Sequence, residues 1–245
     1  MMAESGSGGR DLRGRTSTLK ASALATDFDG TLAHAGVVHR ATHEALIRLR
    51  RAGVRLLLVT GRRLDSLRAT FPDIAIFDRV VAENGAVVLD PATGASRSIA
   101  ALPDPRLVAA LVARHVAPLN VGATIVATRE PMDIVVREVL AELGLDLHIV
   151  YNKGAVMILP NSIDKSTGLL RALSELGLEA DAVVAVGDAE NDAPFLHACG
   201  RSAAVGNALP AIKAIANIRL AASHGNGVIE LIEQIWPEAL QADAS

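Results

Sequence analysis

The chain is 245 residues long, half of them hydrophobic, with 24 basic and 27 acidic side chains and a formal net charge of −3. That is apolar material for one large domain or two modest ones, and so even a balance, with no local basic patch, excludes nucleic acid as the expected partner. No stretch approaches the run of roughly 18 apolar residues that crosses a bilayer, so a membrane is excluded too. Aromatic residues make up only 2%, which leaves Ala, Leu, Val and Ile to build the core.

Residues 1–20, "MMAESGSGGRDLRGRTSTLK", have no apolar segment of the kind a secretory signal needs, and their Gly, Ser and Arg content is that of a flexible tail. The fold is expected to begin near Ala21. In "LATDFDGTL" an apolar run from Ala23 ends abruptly on Asp27, with Asp29 one residue further and Gly-Thr next. Two carboxylates so close repel unless a cation sits between them or one keeps a proton. The stretch therefore asks for a cation, a proton-transfer role, or both. A helix is expected from about His39, with Thr42, Leu46 and Leu49 on one face and Gly53 closing it. Then "VRLLLVTGRR" repeats the design: a continuous apolar strand, Val54 to Val59, stops in Thr60-Gly61, as suits a strand covered on both faces. A helix from about Arg63 and short strands near Ile74 and Val80 lead to "AENGAVVLD".

The stretch 90–160 has a different rhythm. "DPRLVAALVARHV" and "EPMDIVVREVLAELGL" have helical period, while "ATIVAT", "DLHIVYN" and "AVMILP" suit antiparallel strands. A small α+β module inserted into a larger α/β sheet is expected there, with 21–89 and 161–245 forming the core. After Pro160, Asp164 suits an N-cap for a helix bearing Leu169, Leu173 and Leu176 on one face before Gly177. "AVVAVGDAEND" supplies a strand, Ala182 to Val186, that ends in Gly-Asp. "SAAVGNA" and "NIRLAAS" give two more strand-like pieces, and "GNGVIELIEQIW" the last helix. The single cysteine, Cys199 in "FLHACG", precludes an intramolecular disulfide and fits a reducing, cytoplasmic setting; a buried small hydrophobe is its expected role.

Three strands thus end in polar residues: Asp27 with Asp29, Thr60, and Asp188. In a doubly wound parallel sheet, ligands bind at the carboxyl ends of the strands, so neighbouring strands would gather these groups into one site, with Lys165 joining from the start of its helix. Such a set of carboxylates suits Mg2+, a hard cation with oxygen ligands. Thr60, Gly61, Lys165 and the backbone N–H groups after Asp27 suit the oxygens of a phosphate. Asp27 is then placed to attack phosphorus and form an aspartyl-phosphate, and Asp29 to protonate the leaving oxygen and later deprotonate water. Each residue also has a plain structural use: Asp29-Gly30 suits a turn, Asp188 a helix cap, Lys165 a solvated helix start, and Asn191 and Asp192 capping. None of the seven histidines pairs at metal-ligand spacing, and His34 and His39 suit loop and cap positions. Arg62 and Arg63 follow Thr60-Gly61; surface salt-bridge positions are the default for both, with one of them facing the site as the alternative. Arg129, Asn152 and Lys153 are candidate substrate contacts in the insert, with a solvated face as the alternative.

The segments "DFDGTL", "VTGR", "DKSTGLL" and "GDAENDAPFL" resemble, in order, the four motifs of the haloacid dehalogenase-like phosphohydrolase superfamily, over about Ala23 to Trp236. The insert between the second and third resembles the C2-type cap of the Cof-like, type IIB branch, as do "AENGA", "VGNALPAIKAIAN" and "HGNGVIELI". The resemblance implies a Rossmann-like core with an inserted cap, and a Mg2+-dependent phosphatase acting on a small phosphorylated molecule such as phosphoglycolate or a sugar phosphate. It implies Asp27 as nucleophile and metal ligand, and Asp29 as acid/base and metal ligand through its backbone carbonyl. Thr60 and Lys165 would hold the phosphoryl group, Asp188 would ligate the metal, and Asn191 and Asp192 would orient that loop. Phe195 stands where such proteins more often carry Met, a packing exchange. A phosphotransferase or phosphomutase of the same fold (phosphomannomutase-like), and a non-catalytic regulatory module, are the alternatives. Oligomeric state, monomer or homodimer, is left open.

Overall fold

The computed structural model describes residues 21–101 and 103–241; the expected N-terminal tail, 1–20, lies outside the described residues. The chain opens with β1 (Ala23–Thr26), α1 (Arg40–Arg51), β2 (Arg55–Val59), α2 (Leu64–Thr70) and β3 (Arg79–Ala82). A ribbon of β4 (Val87–Leu89) and β5 (Ser96–Ser98) follows. The inserted module contributes α3 (Pro105–Ala113), β6 (Asn120–Val121), β7 (Val126–Arg129), α4 (Asp133–Leu143), β8 (Leu147–Asn152) and β9 (Ala155–Pro160). The chain then adds α5 (Lys165–Leu176), β10 (Val183–Gly187), α6 (Ala193–Ala198), β11 (Arg201–Ala204), α7 (Pro210–Ile215), β12 (Ile218–Arg219), α8 (His224–Ile235) and α9 (Pro237–Gln241).

One sheet runs in the order β12-β11-β10-β1-β2-β3-β4-β5. It is parallel from β12 to β3, and β4 and β5 are antiparallel additions at one edge. Every residue of β1 and β10 is buried, which requires cover on both faces and explains why these strands are apolar without alternation. The α/β doubly wound core is therefore as expected. Register places Ala23–Thr26 beside Val183–Val186 on one side and Arg55–Leu58 on the other. The residues just past these strands accordingly emerge level, at one edge of the sheet.

The second sheet, β6-β7-β9-β8, is antiparallel throughout. Successive residues of β9 face opposite ways, as a strand's period of two demands. Ile158 joins Leu107, Leu111, Val136 and Val139 from α3 and α4, while Met157 and Leu159 pack with Ala86 and Ile163 on the other side. Helices α3 and α4 thus cover one face of this sheet, an α+β arrangement that lies between β5 and α5 in the chain.

Two local expectations change. Residues Ile74–Ile76 form a single 3-10 turn rather than a strand, because so short an apolar run after Pro-Asp meets the core equally well as a turn. Strand β5, within 90–160, pairs on the large sheet; its "SRS" is fully exposed and carries no hydrophobic pattern to betray it. The short helices α6 and α7 each carry Pro in the first turn, where its missing N–H costs nothing, yet are too short to show a periodic face.

Candidate active site

Asp27 follows β1 directly and donates its N–H to the Val186 carbonyl of β10, 3.0 Å away, which locks the strand end against its neighbour. The Asp27 side chain is buried and its Oδ1 lies 2.5 Å from Nζ of Lys165. Lys165 is the first residue of α5 and is 0% exposed. Its ammonium also bonds Oδ1 of Asp192 at 2.6 Å. The other Asp192 oxygen accepts the N–H groups of Asp188 and Ala189, at 2.7 and 2.9 Å, and so shapes the loop after β10. Lys165 is held there because α5 starts at the sheet edge. The Asp164 side chain accepts the Thr167 N–H, and the Thr167 hydroxyl in return accepts the Asp164 N–H.

Asp188 is fully buried, accepts the Thr31 hydroxyl at 2.8 Å, and is paired with Lys153, which reaches across from the turn between β8 and β9. Gly30 stands against this carboxyl at φ +88°, and a Cβ there would overlap the Asp188 oxygens. Any other residue in the "DGT" turn would be both strained and crowded. Asp27, Asp188 and Asp192 each offer an oxygen, all within 4.8 Å of one another. Three buried carboxylates set an excess of negative charge against Lys165 and Lys153. Burial first, then the neighbouring Asp192 and Asp188, push the Asp27 carboxyl well above its ordinary range against the pull of Lys165. Burial likewise raises Asp188, opposed by the Lys153 hydrogen bond. Burial by itself would depress Lys165, but Asp192 and Asp27 outweigh it and hold the ammonium above its usual value. An all-oxygen, negatively charged, confined donor set of this kind fits a divalent hard cation.

Thr60 follows β2, is buried, and donates its N–H to Val81 at 2.8 Å, while its hydroxyl accepts the Arg62 N–H at 3.1 Å. Gly61 lies beside Met157 of the insert and Asn191 of the acidic loop. Asn191 donates to Asn84 Oδ1 at 2.9 Å, and both amides are buried.

The sequence profile of the haloacid dehalogenase-like hydrolases matches residues 24–109 and 114–232. This chain belongs to the haloacid dehalogenase-like hydrolases. It is 33% identical over 220 residues to a phosphoglycolate phosphatase of Methanothermobacter thermautotrophicus, covering 86% of this chain and 97% of that one. A haloacid dehalogenase-like hydrolase from Bacteroides thetaiotaomicron shares the fold at a TM-score of 0.75 and 21% identity, covering 89% of this chain and 100% of its own. A subclass IIB sugar phosphatase of the superfamily shares it at 0.71 and 18% identity, covering 87% and 98%. Both likenesses are of fold.

In this hydrolase the fold brings Asp27, Asp188, Asp192 and Lys165 into direct contact or close range, with Thr60 and Gly61 on the loop after β2 and Asn191 on the loop after β10. Lys165 is buried and doubly paired, not a solvated helix start. The Asp29 side chain stands apart from the carboxylate cluster. Both of its oxygens are taken by Arg62, Nε to Oδ2 at 2.6 Å and Nη2 to Oδ1 at 2.7 Å. Arg62 is thus a salt-bridge partner turned toward the candidate site, the alternative to the surface position that was its default. Its signal was only that it directly follows Thr60-Gly61. Arg63 points elsewhere, to the Val121 carbonyl and Asp65. Asp29, Arg62, Asn152 and Lys153, with Gly30, Ala35 and Ser66, line an open cavity of about 480 Å³. Among the described residues no helix is long and apolar enough to cross a membrane.

Proposed function

We propose that this hydrolase is a Mg2+-dependent phosphomonoesterase that acts through an aspartyl-phosphate on Asp27, with 2-phosphoglycolate as the first substrate to test. The observation that carries the reading is the buried Asp27 carboxylate held by one oxygen on Lys165, with Asp29 on the same turn clamped by Arg62. Lys165 fixes Oδ1 of Asp27, so the second oxygen is the one to attack phosphorus. The P–O bond to the leaving alcohol breaks as Asp29, protonated on an oxygen that substrate entry draws away from Arg62, delivers the proton that the departing oxygen needs. Asp29 then takes a proton from the water that cleaves the acyl phosphate, which returns Asp27 as a carboxylate and releases phosphate. Thr60, Gly61 and Lys165 are placed to hold the equatorial phosphoryl oxygens, and preorganised donors and charge of this kind carry most of phosphoryl-transfer catalysis. Asp27, Asp188, the Asp29 backbone carbonyl and, from its place in the cluster, Asp192 would hold Mg2+. When bound, the ion supplies charge neutralisation for the carboxylates and the phosphoryl oxygens. Asn191 and Asp192 keep the loop after β10 in shape.

Phosphoglycolate is favoured over a sugar phosphate by two things: the near-full-length likeness to phosphoglycolate phosphatases, and two cations, Arg62 and Lys153, at the cavity. A substrate with a carboxylate beside its phosphate can meet both. The proposed division is a core of 21–89 and 161–245 carrying these groups and a cap at 90–160, β5 excepted, closing over them to exclude water. A cytoplasmic setting, suggested by the lone cysteine, belongs to the same proposal. The test is phosphate release from a panel containing 2-phosphoglycolate and hexose phosphates, with Mg2+ and with EDTA. Mg2+-dependent turnover that vanishes in Asp27→Asn is expected. Undiminished turnover in Asp27→Asn refutes the nucleophile, and transfer to an added sugar in preference to water would make the protein a phosphotransferase.

A further inference from the structure

We propose that Glu83 is a positioning residue that fixes the cap over the catalytic loops, an inference that rests on the phosphatase reading for its kinetic consequence and on geometry for the rest. Glu83 and Asn84 are consecutive non-glycine residues with φ of 50° and 56°. Left-handed backbone costs of order 1–3 kcal/mol per such residue and persists only where the surroundings over-determine it. Here they do. The Glu83 N–H donates to the Arg62 carbonyl at 2.9 Å and the Asn84 N–H to the Thr60 carbonyl at 3.0 Å, so the turn grips the phosphate-side loop by its backbone. The Asn84 amide grips the acidic loop through Asn191. Gly85 is pressed against the Asp164 carbonyl and Lys165 nitrogen, where a Cβ would overlap.

The side chain of Glu83 goes the other way, into the cap. It is 3% exposed, and its carboxylate accepts the backbone N–H groups of Ala123 at 2.9 Å, Thr124 at 2.8 Å and Ile125 at 3.1 Å. These residues form the turn between β6 and β7. Consecutive N–H groups converging on an anion form a nest, and hydrogen bonds to an ionised acceptor are about twice as strong as neutral ones. Gly122 completes the clasp: a Cβ there would stand 2.7 Å from both the Glu83 carboxyl and Ile125. Strand β7 pairs with β9, and β9 with β8, whose connecting turn carries Lys153 to Asp188. One carboxylate therefore ties the cap sheet to the same tripeptide that touches the Thr60 loop, the Asn191 loop and the start of α5. Where Lys153 and Asn152 sit over the site follows from where Glu83 holds β7.

Two variants approach the clasp from opposite sides: Glu83→Gln, which sets an amide against backbone donors, and Gly122→Ala, which pushes the loop off an intact carboxylate. Each is read in two ways. By hydrogen exchange, peptides spanning 120–126 and 150–157 should exchange faster while 183–187 is unchanged, which separates a released cap from a loosened fold. By kinetics, kcat/KM for 2-phosphoglycolate should fall at least tenfold, a 1 Å misplacement costing up to about a hundredfold. Acetyl phosphate, whose leaving group needs no contact from the cap, should change less than threefold. Equal losses on both substrates, or unaltered exchange at 150–157 in both variants, overturn the proposal. If the wild-type protein hydrolyses neither compound, the phosphatase reading fails by itself and the exchange pattern alone decides the role of Glu83.

Discussion

Replacing Lys165 with methionine keeps the length and volume of the side chain and removes the ammonium that lies 2.5 Å from Asp27 and 2.6 Å from Asp192. Both carboxylates are buried, so neither can turn to water for compensation. Breaking a buried ion pair by removing one partner costs about 3–5 kcal/mol. At about 2–4 °C per kcal/mol for a chain of this size, the metal-free variant should melt roughly 6–20 °C below wild type. The loss has a definite pH dependence. Burial and the neighbouring acids already raise Asp27, and without the ammonium that rise is unopposed. Folded carboxylates above their unfolded pKa bind protons that the unfolded chain does not, so stability falls as pH rises through that window. A proton stands in for the lysine in acid, and the gap to wild type should be smaller near pH 5.5 than near pH 8. Mg2+ should narrow it again, because an ion that binds only the folded state stabilises it. Thermal melts in EDTA and in Mg2+ at the two pH values measure all of this. A variant that melts within about 2 °C of wild type in EDTA at both pH values would show that Lys165 does not neutralise this cluster, since breaking such a pair must cost more.

Arg62→Lys removes the two-pronged hold on Asp29, which one ammonium cannot reproduce; kcat should drop about tenfold or more while the melting temperature moves little, because Asp29 is 39% exposed and water can replace the lost bond, and the lysine keeps the charge. Burial pushes the Cys199 thiol up to about 12, so a thiol reagent should label the native protein slowly near pH 8 and the unfolded protein at once. Because unfolding releases that thiol to ionise from about pH 8.5 upward, Cys199 should also make stability decline as pH rises above that value, a decline that Cys199→Ala removes. Gly85→Ala places a Cβ into the Asp164 carbonyl at a residue with φ +108°, and should cost more than about 2 kcal/mol in denaturant titration; a neutral outcome would show that the start of α5 can shift.

The amino-acid sequence by itself determined the core. Unbroken apolar runs such as Leu56–Val59 and Val183–Val186 suit strands covered on both faces, and the first stops at Thr60 and the second one glycine short of Asp188, polar residues whose burial would be costly without a partner or a ligand. That local conflict is why Asp27, Thr60 and Asp188 stand out in the sequence as candidates for one site, while Lys165 begins a helix and ends no strand. Tertiary structure alone decided who meets whom within it. Arg62 looked like any exposed arginine because a guanidinium's partner, Asp29, is 33 residues away in the chain. Asp192 turned out to bridge Lys165 and the β10 loop because a 3-10 turn directs it inward. Glu83 was invisible as a clasp, since its three donors lie about forty residues further on and are backbone groups with no side-chain signature. Periodicity reports how one segment meets its surroundings; pairing between segments depends on sheet register and on turns with left-handed backbone, and neither leaves a pattern along the chain.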